Sequence, residues 1–177
     1  QLLYEIIVVD NNSQDGTIEM LNSEFPDIKL IVNTTNLGFG KACNIGAKKC
    51  TGSYLAFINS DIEISENILL DLFSFLEKEP QVAITGVQLK NFDGTYQSSY
   101  FPFPSVIRRG VESSGLKKVF LIFRREGKNI IQLKKFIGYI SGAFFLIRKS
   151  IFDSLNGFDE NYFMYHEEAD LCFRVNK

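Results

Sequence analysis

An α/β fold with a mostly parallel sheet flanked by helices is predicted by three features of this sequence. Short apolar runs alternate with segments of helical period through the first half. Each run ends in a cluster of turn or cap residues. Two of the runs, Tyr4 to Val9 and Tyr54 to Ile58, lead directly into acidic tips at Asp10 and Asn59-Ser60-Asp61.

The elements follow in order. Tyr4 to Val9 is apolar apart from Glu5 and suits a strand covered on both faces. Asn11 to Gly16 supplies turn and cap residues, after which Thr17 to Phe25 reads as a helix. Ile28 to Val32 is a second strand, Asn33 to Gly38 a polar loop, and Phe39 to Lys49 a helix. Tyr54 to Ile58 is a third strand, Ile68 to Leu76 a helix, and Val82 to Leu89 a fourth strand. This alternation implies parallel strands joined by right-handed crossovers. After Lys90 the pattern changes. Asn91-Phe92-Asp93-Gly94 is a turn with a hairpin signal. Phe101 to Ile131 mixes proline, aromatic and basic residues without a sustained period. Phe136 to Arg148 is expected as one strand, and Ser150 to Leu155 as a helix.

Composition narrows the function classes. At 177 residues the chain has room for one domain with one core, and 45% hydrophobic with 23% charged residues is a globular balance. A net charge of −2 argues against a nucleic-acid binder. Cys43, Cys50 and Cys172 form no paired framework, which points to a reducing, cytoplasmic setting. No signal peptide opens the sequence. The longest apolar run, Phe136 to Ile147, falls well short of the roughly 20 residues that cross a bilayer. The sequence starts just ahead of a strand and stops inside a helical pattern, so a piece of a longer chain is expected.

Four motifs carry the chemistry. In Ile7-Val8-Val9-Asp10-Asn11-Asn12-Ser13-Gln14-Asp15-Gly16-Thr17, an aspartate at a strand end is a lone acceptor suited to the N3–H of a pyrimidine, although the loop also suits plain helix capping. In Asn36-Leu37-Gly38-Phe39-Gly40-Lys41-Ala42-Cys43-Asn44-Ile45-Gly46, glycines permit close backbone approach, and a helix starting near Phe39 would aim its positive end at phosphate, with Lys41 adding charge. It matches neither a dinucleotide fingerprint nor a P-loop, and a simple glycine-containing loop explains it equally. In Asn59-Ser60-Asp61-Ile62-Glu63, oxygen ligands at a strand end suit Mg²⁺ or Mn²⁺ on a diphosphate, with Asp61 the ligand and Glu63 a solvated acid. The fourth, Gly157 to Arg174, gathers several acids and His166, the only histidine, near a helix start. Helix-dipole stabilisation accounts for acids there, and a carboxylate beside a sugar hydroxyl is also a general base. Strand carboxyl ends are where open α/β sheets bind ligands, so one sheet would place Asp10 and Asp61 on a shared rim.

Taken in order, these segments resemble family 2 glycosyltransferases of the GT-A, Rossmann-like fold, in their rhamnosyltransferase-like branch. The resemblance rests on Val8-Val9-Asp10-Asn11-Asn12-Ser13 with Asp15-Gly16-Thr17; on Asn36-Leu37-Gly38-Phe39-Gly40 with Asn44 and Gly46; on Asn59-Ser60-Asp61; on Gly142 with Ile147-Arg148; and on Gly157-Phe158-Asp159-Glu160 through Arg174. It implies one catalytic domain over 1–177, with a nucleotide-binding half at 1–90 and an acceptor-side half at 91–177, and with the family's opening strand missing ahead of Gln1. It implies an inverting enzyme in polysaccharide or cell-envelope synthesis that takes a nucleotide-sugar donor, UDP- or dTDP-linked, and a glycan or lipid-diphosphate-linked acceptor. Asp10, Asn12, Asn36, Gly38, Lys41, Asn44, Asn59 and Asp61 are then the donor-site residues. Asp61 holds Mg²⁺ or Mn²⁺, and Glu168 with Glu167 supplies the base.

The chain departs from the family at Glu168, where the usual residue is aspartate, which moves the carboxylate out by one methylene. A non-catalytic sugar-nucleotide or glycan-binding homologue is the alternative this departure leaves. A nucleotidyltransferase would carry a basic glycine-rich loop by its first strand. The basic residues from Arg108 to Lys128 read first as a solvated loop, and second as a surface for an anionic acceptor or peripheral membrane contact.

Overall fold

The computed structural model describes residues 2–64, 67–103 and 138–177. The basic stretch from Arg108 to Lys128 therefore lies outside the described residues.

Strand β1 (Ile7–Asp10) pairs in parallel with β2 (Lys29–Val32) through helix α1 (Thr17–Glu24), with Asp10 opposite Val32. Gly16 turns the chain into α1 at φ 83°, while Asp15 Oδ1 accepts from the Thr17 amide at 3.2 Å and its hydroxyl at 2.5 Å. Helix α2 (Phe39–Lys49) lies directly on β1. A Cβ at Gly46 would come within 3.0 Å of Val9 Cγ2, so the glycine sets the helix-to-strand distance.

A second sheet holds β3 (Tyr54–Ile58), β7 (Phe144–Arg148) and β4 (Ile84–Gly86), in that spatial order. Both neighbours run antiparallel to β7, so β3 and β4 share one direction. The expected parallel run from β3 to β4 is thus interrupted by a strand that returns from the far half of the chain. Helix α3 (Ile68–Lys78) covers one face of this sheet. Alternation along β7 explains its unbroken apolar sequence. Phe144 and Leu146 pack with Leu72, Leu76 and Leu89, while Phe145 and Ile147 turn to the other face and are fully buried.

That second face is the main core. Ala47, Leu55, Phe57, Phe145, Ile147, Phe152, Phe158 and Leu171 meet there. The Phe57 ring lies 5.0 to 5.3 Å from those of Phe145, Phe152 and Phe158. Such ring pairs add about 0.5–1.5 kcal/mol each beyond burial. Short helix α4 (Lys149–Ser154) and helix α5 (Glu167–Val175) contribute Phe152 and Leu171.

Of the single strand expected over Phe136 to Arg148, residues 136–137 lie outside the described residues, and the rest is two strands. β6 (Gly138–Ile140) pairs with β5 (Tyr100–Pro102), with Phe101 stacked on Tyr139 at 5.2 Å. The chain then bends at Ser141-Gly142-Ala143 and enters β7. The bend is needed because β6 and β7 serve different sheets. The fourth strand is also shorter than expected, and the Asn91 to Gly94 turn forms as predicted, with Gly94 at φ 82° donating to Asn91 O at 2.9 Å. None of the described helices is long and apolar enough to cross a membrane.

Candidate functional site

β1 and β3 lie in two separate sheets rather than in the one sheet expected, but both start from one joint. Glu5, just before β1, accepts hydrogen bonds from the Thr51 amide (2.7 Å), the Thr51 hydroxyl (2.7 Å) and the Gly52 amide (3.2 Å), just before β3. Both strands leave this shared anchor and run toward Asp10 and toward Asn59-Ser60-Asp61.

At the far end, Asp10 is buried, and its Oδ2 accepts from the amides of Asn12 and Ser13 at 3.0 Å each. Among the described residues no hydrogen bond reaches Oδ1. Asn12 adopts φ 72°, and its side chain stays exposed and accepts from Gln14 at 3.2 Å.

Asn11 does not stand out as a site residue in the sequence, yet it ties the first motif to the second. Its Nδ2 donates to Asn36 Oδ1 (3.0 Å) and Gly38 O (3.2 Å), and its Oδ1 accepts from Asn33 Nδ2 (3.0 Å) and the Leu37 amide (3.2 Å). Asn36 Oδ1 also accepts the Gly38 amide at 2.9 Å. A spacing signal between the two loops does not exist in the sequence; only the fold brings them together.

The second motif in turn meets the fourth. The Phe39 amide donates to Phe163 O at 3.0 Å. A Cβ at Gly40 would lie 3.1 Å from Phe158 Cβ and 3.6 Å from Glu167 Cβ. Lys41 is half-exposed and stands 3.8 Å from Glu160. Asn44 is buried, donating to Phe158 O (2.9 Å) and Glu160 Oε1 (3.2 Å) and accepting the Phe158 amide (2.9 Å). Both ends of its amide are engaged by the chain itself, which differs from the expectation of a nucleotide contact. The Phe39 amide differs likewise from the expected phosphate seat, since a protein carbonyl already occupies it.

The fourth motif leads on to the third. Glu168 lies at the start of α5 with its Cβ 3.6 Å from where a Gly142 side chain would begin. The next residue, Ala143, accepts the Asn59 amide at 2.9 Å. A chain of neighbours, in sequence or in space, therefore runs Asp10, Asn11, Gly38, Phe39, Gly40, Glu167, Glu168, Gly142, Ala143, Asn59, with Asp61 two residues further.

The acids along this chain of neighbours differ in environment. Glu168 is half-buried and Asp61 exposed, whereas Glu167 is buried with Oε2 unpartnered in the structure. Burial pushes the Glu167 carboxyl above its ordinary value, with neighbouring Glu168 adding to the rise and its own amide opposing it. Asn59 Oδ1 is a second buried oxygen without a partner. His166 is exposed, at φ 73°. Burial pushes the Cys43 and Cys172 thiols up to about 12 and about 11.

No group of three potential metal-ligating side chains occurs among the described residues. Asp61 alone still fits a hard divalent cation, because Mg²⁺ is commonly held by one or two carboxylates with the substrate's phosphates completing its shell.

Comparison with known proteins accounts for this arrangement. The chain is 27% identical over 97% of its length to the N-acetylglucosaminyl-diphospho-decaprenol L-rhamnosyltransferase of Mycobacterium tuberculosis, and it spans 61% of that relative. S. aureus TarS in complex with UDP shares the fold at a TM-score of 0.62 and 19% identity, over 97% of this chain and 45% of TarS. The mannosyltransferase PcManGT from Pyrobaculum calidifontis, in complex with GDP-Man and Mn²⁺, matches at 0.59 and 15% identity, over 97% of this chain and 42% of its own. Both solved structures have the GT-A architecture expected from the motifs. The family model of glycosyl transferase family 2 matches residues 1–155, which take in the first three motifs and end just ahead of the fourth. The chain belongs to glycosyl transferase family 2.

Proposed function

We propose that this chain is the donor-binding and catalytic part of an inverting glycosyltransferase. The sugar moves from a nucleotide-diphosphate donor, UDP- or dTDP-linked, to a glycan or lipid-diphosphate-linked acceptor in cell-envelope polysaccharide synthesis. The observation that carries the reading is the chain of contacts and sequence neighbours from Asp10 to Asn59 through Gly38, Gly40, Glu167 and Glu168, which links the four motifs. The name of the M. tuberculosis relative, which specifies a lipid-diphosphate-linked acceptor, supports the acceptor class.

In this reading the Oδ1 of Asp10 accepts the N3–H of a pyrimidine, while the Asn12 and Ser13 amides hold the carboxylate in place through Oδ2. Asn11 and Asn36 keep the two donor loops in register, and Asn59 Oδ1 offers an acceptor to a donor hydroxyl. Asn44 braces the acceptor-side loop from behind. Asp61 would hold Mg²⁺ or Mn²⁺ together with diphosphate oxygens, and the bound cation neutralises charge on the leaving diphosphate. The Mn²⁺ that accompanies GDP-Man in the PcManGT complex supports this assignment.

Glu168 is the base. It takes the proton from the acceptor hydroxyl as that oxygen attacks the anomeric carbon, and the bond to the nucleotide diphosphate breaks on the opposite face. One displacement inverts the configuration. The site works at the cytoplasmic side, on an acceptor presented at the membrane surface.

The test is Glu168→Gln in the full chain. Transfer falls by about 10³-fold or more, within the range of general-base catalysis, while calorimetry shows unchanged nucleotide-diphosphate affinity. Normal turnover would move the base to Glu167 or Asp159. Nucleotide binding by the unaltered chain with neither transfer nor donor hydrolysis would make it a binding homologue instead.

A further inference from the structure

Gly38 holds a conformation that side chains do not tolerate, and its bare Cα faces a carbonyl. Its φ of 84° and ψ of 168° lie in a region essentially restricted to glycine. A Cβ built there would stand 2.2 Å from Phe163 O and 3.0 Å from both the carbonyl carbon and the ring Cδ2. The same carbonyl accepts the Phe39 amide at 3.0 Å, closing the first donor of α2. Gly38 is itself fixed on both sides, its amide by Asn36 Oδ1 at 2.9 Å and its carbonyl by Asn11 Nδ2 at 3.2 Å.

Beyond Phe163 the chain has little slack. Tyr165 and His166 both take left-handed conformations, at φ 69° and 73°, although neither is glycine. Two adjacent residues of that kind persist only where the surroundings impose them, at about 1–3 kcal/mol each. The side chains of Tyr162 to His166 are exposed, so they do not supply that constraint. The backbone clamp at Phe163 does, on one side, and α5 does on the other. Glu167 and Glu168 are the first residues of α5.

We infer that Gly38 is a positioning residue for Glu168: its missing side chain is the seat of the Phe163 carbonyl, and that seat sets where the strained segment delivers the base. This assigns the glycine to the acceptor side of the reaction rather than to the donor's phosphates. The inference rests on Glu168 being the base, as proposed above.

Two variants of the full chain test it. Gly38→Ala forces the Phe163 carbonyl away, and kcat falls by roughly 10²-fold, the scale of an ångström-level misplacement. Phe163→Gly loosens the other side of the same contact without touching either donor loop and gives a smaller fall in the same direction, which keeps the test decisive should Gly38→Ala fail to fold. In both, amide hydrogen exchange over residues 159–168 accelerates, exchange over residues 7–13 does not, and calorimetric affinity for UDP or dTDP is retained. Loss of nucleotide affinity in step with rate would make Gly38 a donor contact and overturn the inference. So would unchanged exchange over 159–168 with wild-type kcat. A wild-type chain that transfers no sugar, while its loop still loosens in the variants, would sink the glycosyltransferase reading and leave the clamp standing.

Discussion

Asn44 and Phe158, 114 residues apart, are joined by two hydrogen bonds of 2.9 Å that pair both ends of the asparagine amide with the Phe158 backbone. Gly157 makes room for this, since a Cβ there would lie 2.3 Å from Asn44 Oδ1. Removing the amide strands a buried N–H and a buried C=O, at about 1–3 kcal/mol apiece. Asn44→Ala is expected to lower stability by about 3 kcal/mol, read as a reduced urea midpoint with an unchanged slope. A stability equal to wild type would show that water replaces the bracket.

The anchor at Glu5 gives the protein an acid-sensitive joint. The Lys29 hydrogen bond, followed by those from the Thr51 hydroxyl and amide, lowers the Glu5 carboxyl from 4.5 to about 2. A lowered folded value means the stabilisation is complete above about 4.5 and disappears as pH falls toward about 2. Glu5→Gln is therefore expected to be less stable than wild type at pH 7 and equal to it near pH 2. Parallel urea titrations at the two pH values measure this, and a constant difference between them would refute it.

Glu167 works in the opposite sense. Burial raises its carboxyl, so the ionised form is the one the fold disfavours. Below the unfolded value of 4.5 no penalty exists; it grows as pH rises and is complete once the folded group ionises. Glu167→Gln should melt with the wild type at pH 4 and above it at pH 8. Identical melting at both pH values would mean that the buried carboxylate finds a partner in solution.

Asp61 is exposed and makes no hydrogen bond among the described residues, so its replacement costs the fold little. Asp61→Asn should melt normally while losing about tenfold in Mn²⁺-dependent UDP affinity, the equivalent of one charge-assisted contact near 1.4 kcal/mol. Equal affinity with and without chelator, in wild type, would remove its metal role.

The alternation of strands and helices in the first half was legible because its apolar runs are short and flanked by turn residues. Asp10 and Asp61 were visible as acids at strand ends. Three features were not visible. Asn11 differs from Asn12 only in what the fold places beside it, and nothing local marks it as the hub between the two loops. Asn44 lies in a helix whose sequence suggests a surface near ligand, but its amide points toward Phe158. The apolar run from Phe136 to Arg148 is compatible with one long strand, and only the competition between two sheets for its halves breaks it at Ser141-Gly142-Ala143.

The place of β7 has a consequence for engineering. A strand from beyond residue 137 fills the slot between β3 and β4, with Phe145 and Ile147 fully buried there. A chimera that exchanges residues 1–90 between relatives would inherit a sheet whose middle plank belongs to someone else. Donor preference should therefore be transplanted only together with residues 138–177, and evolution is expected to have changed the two as a linked block.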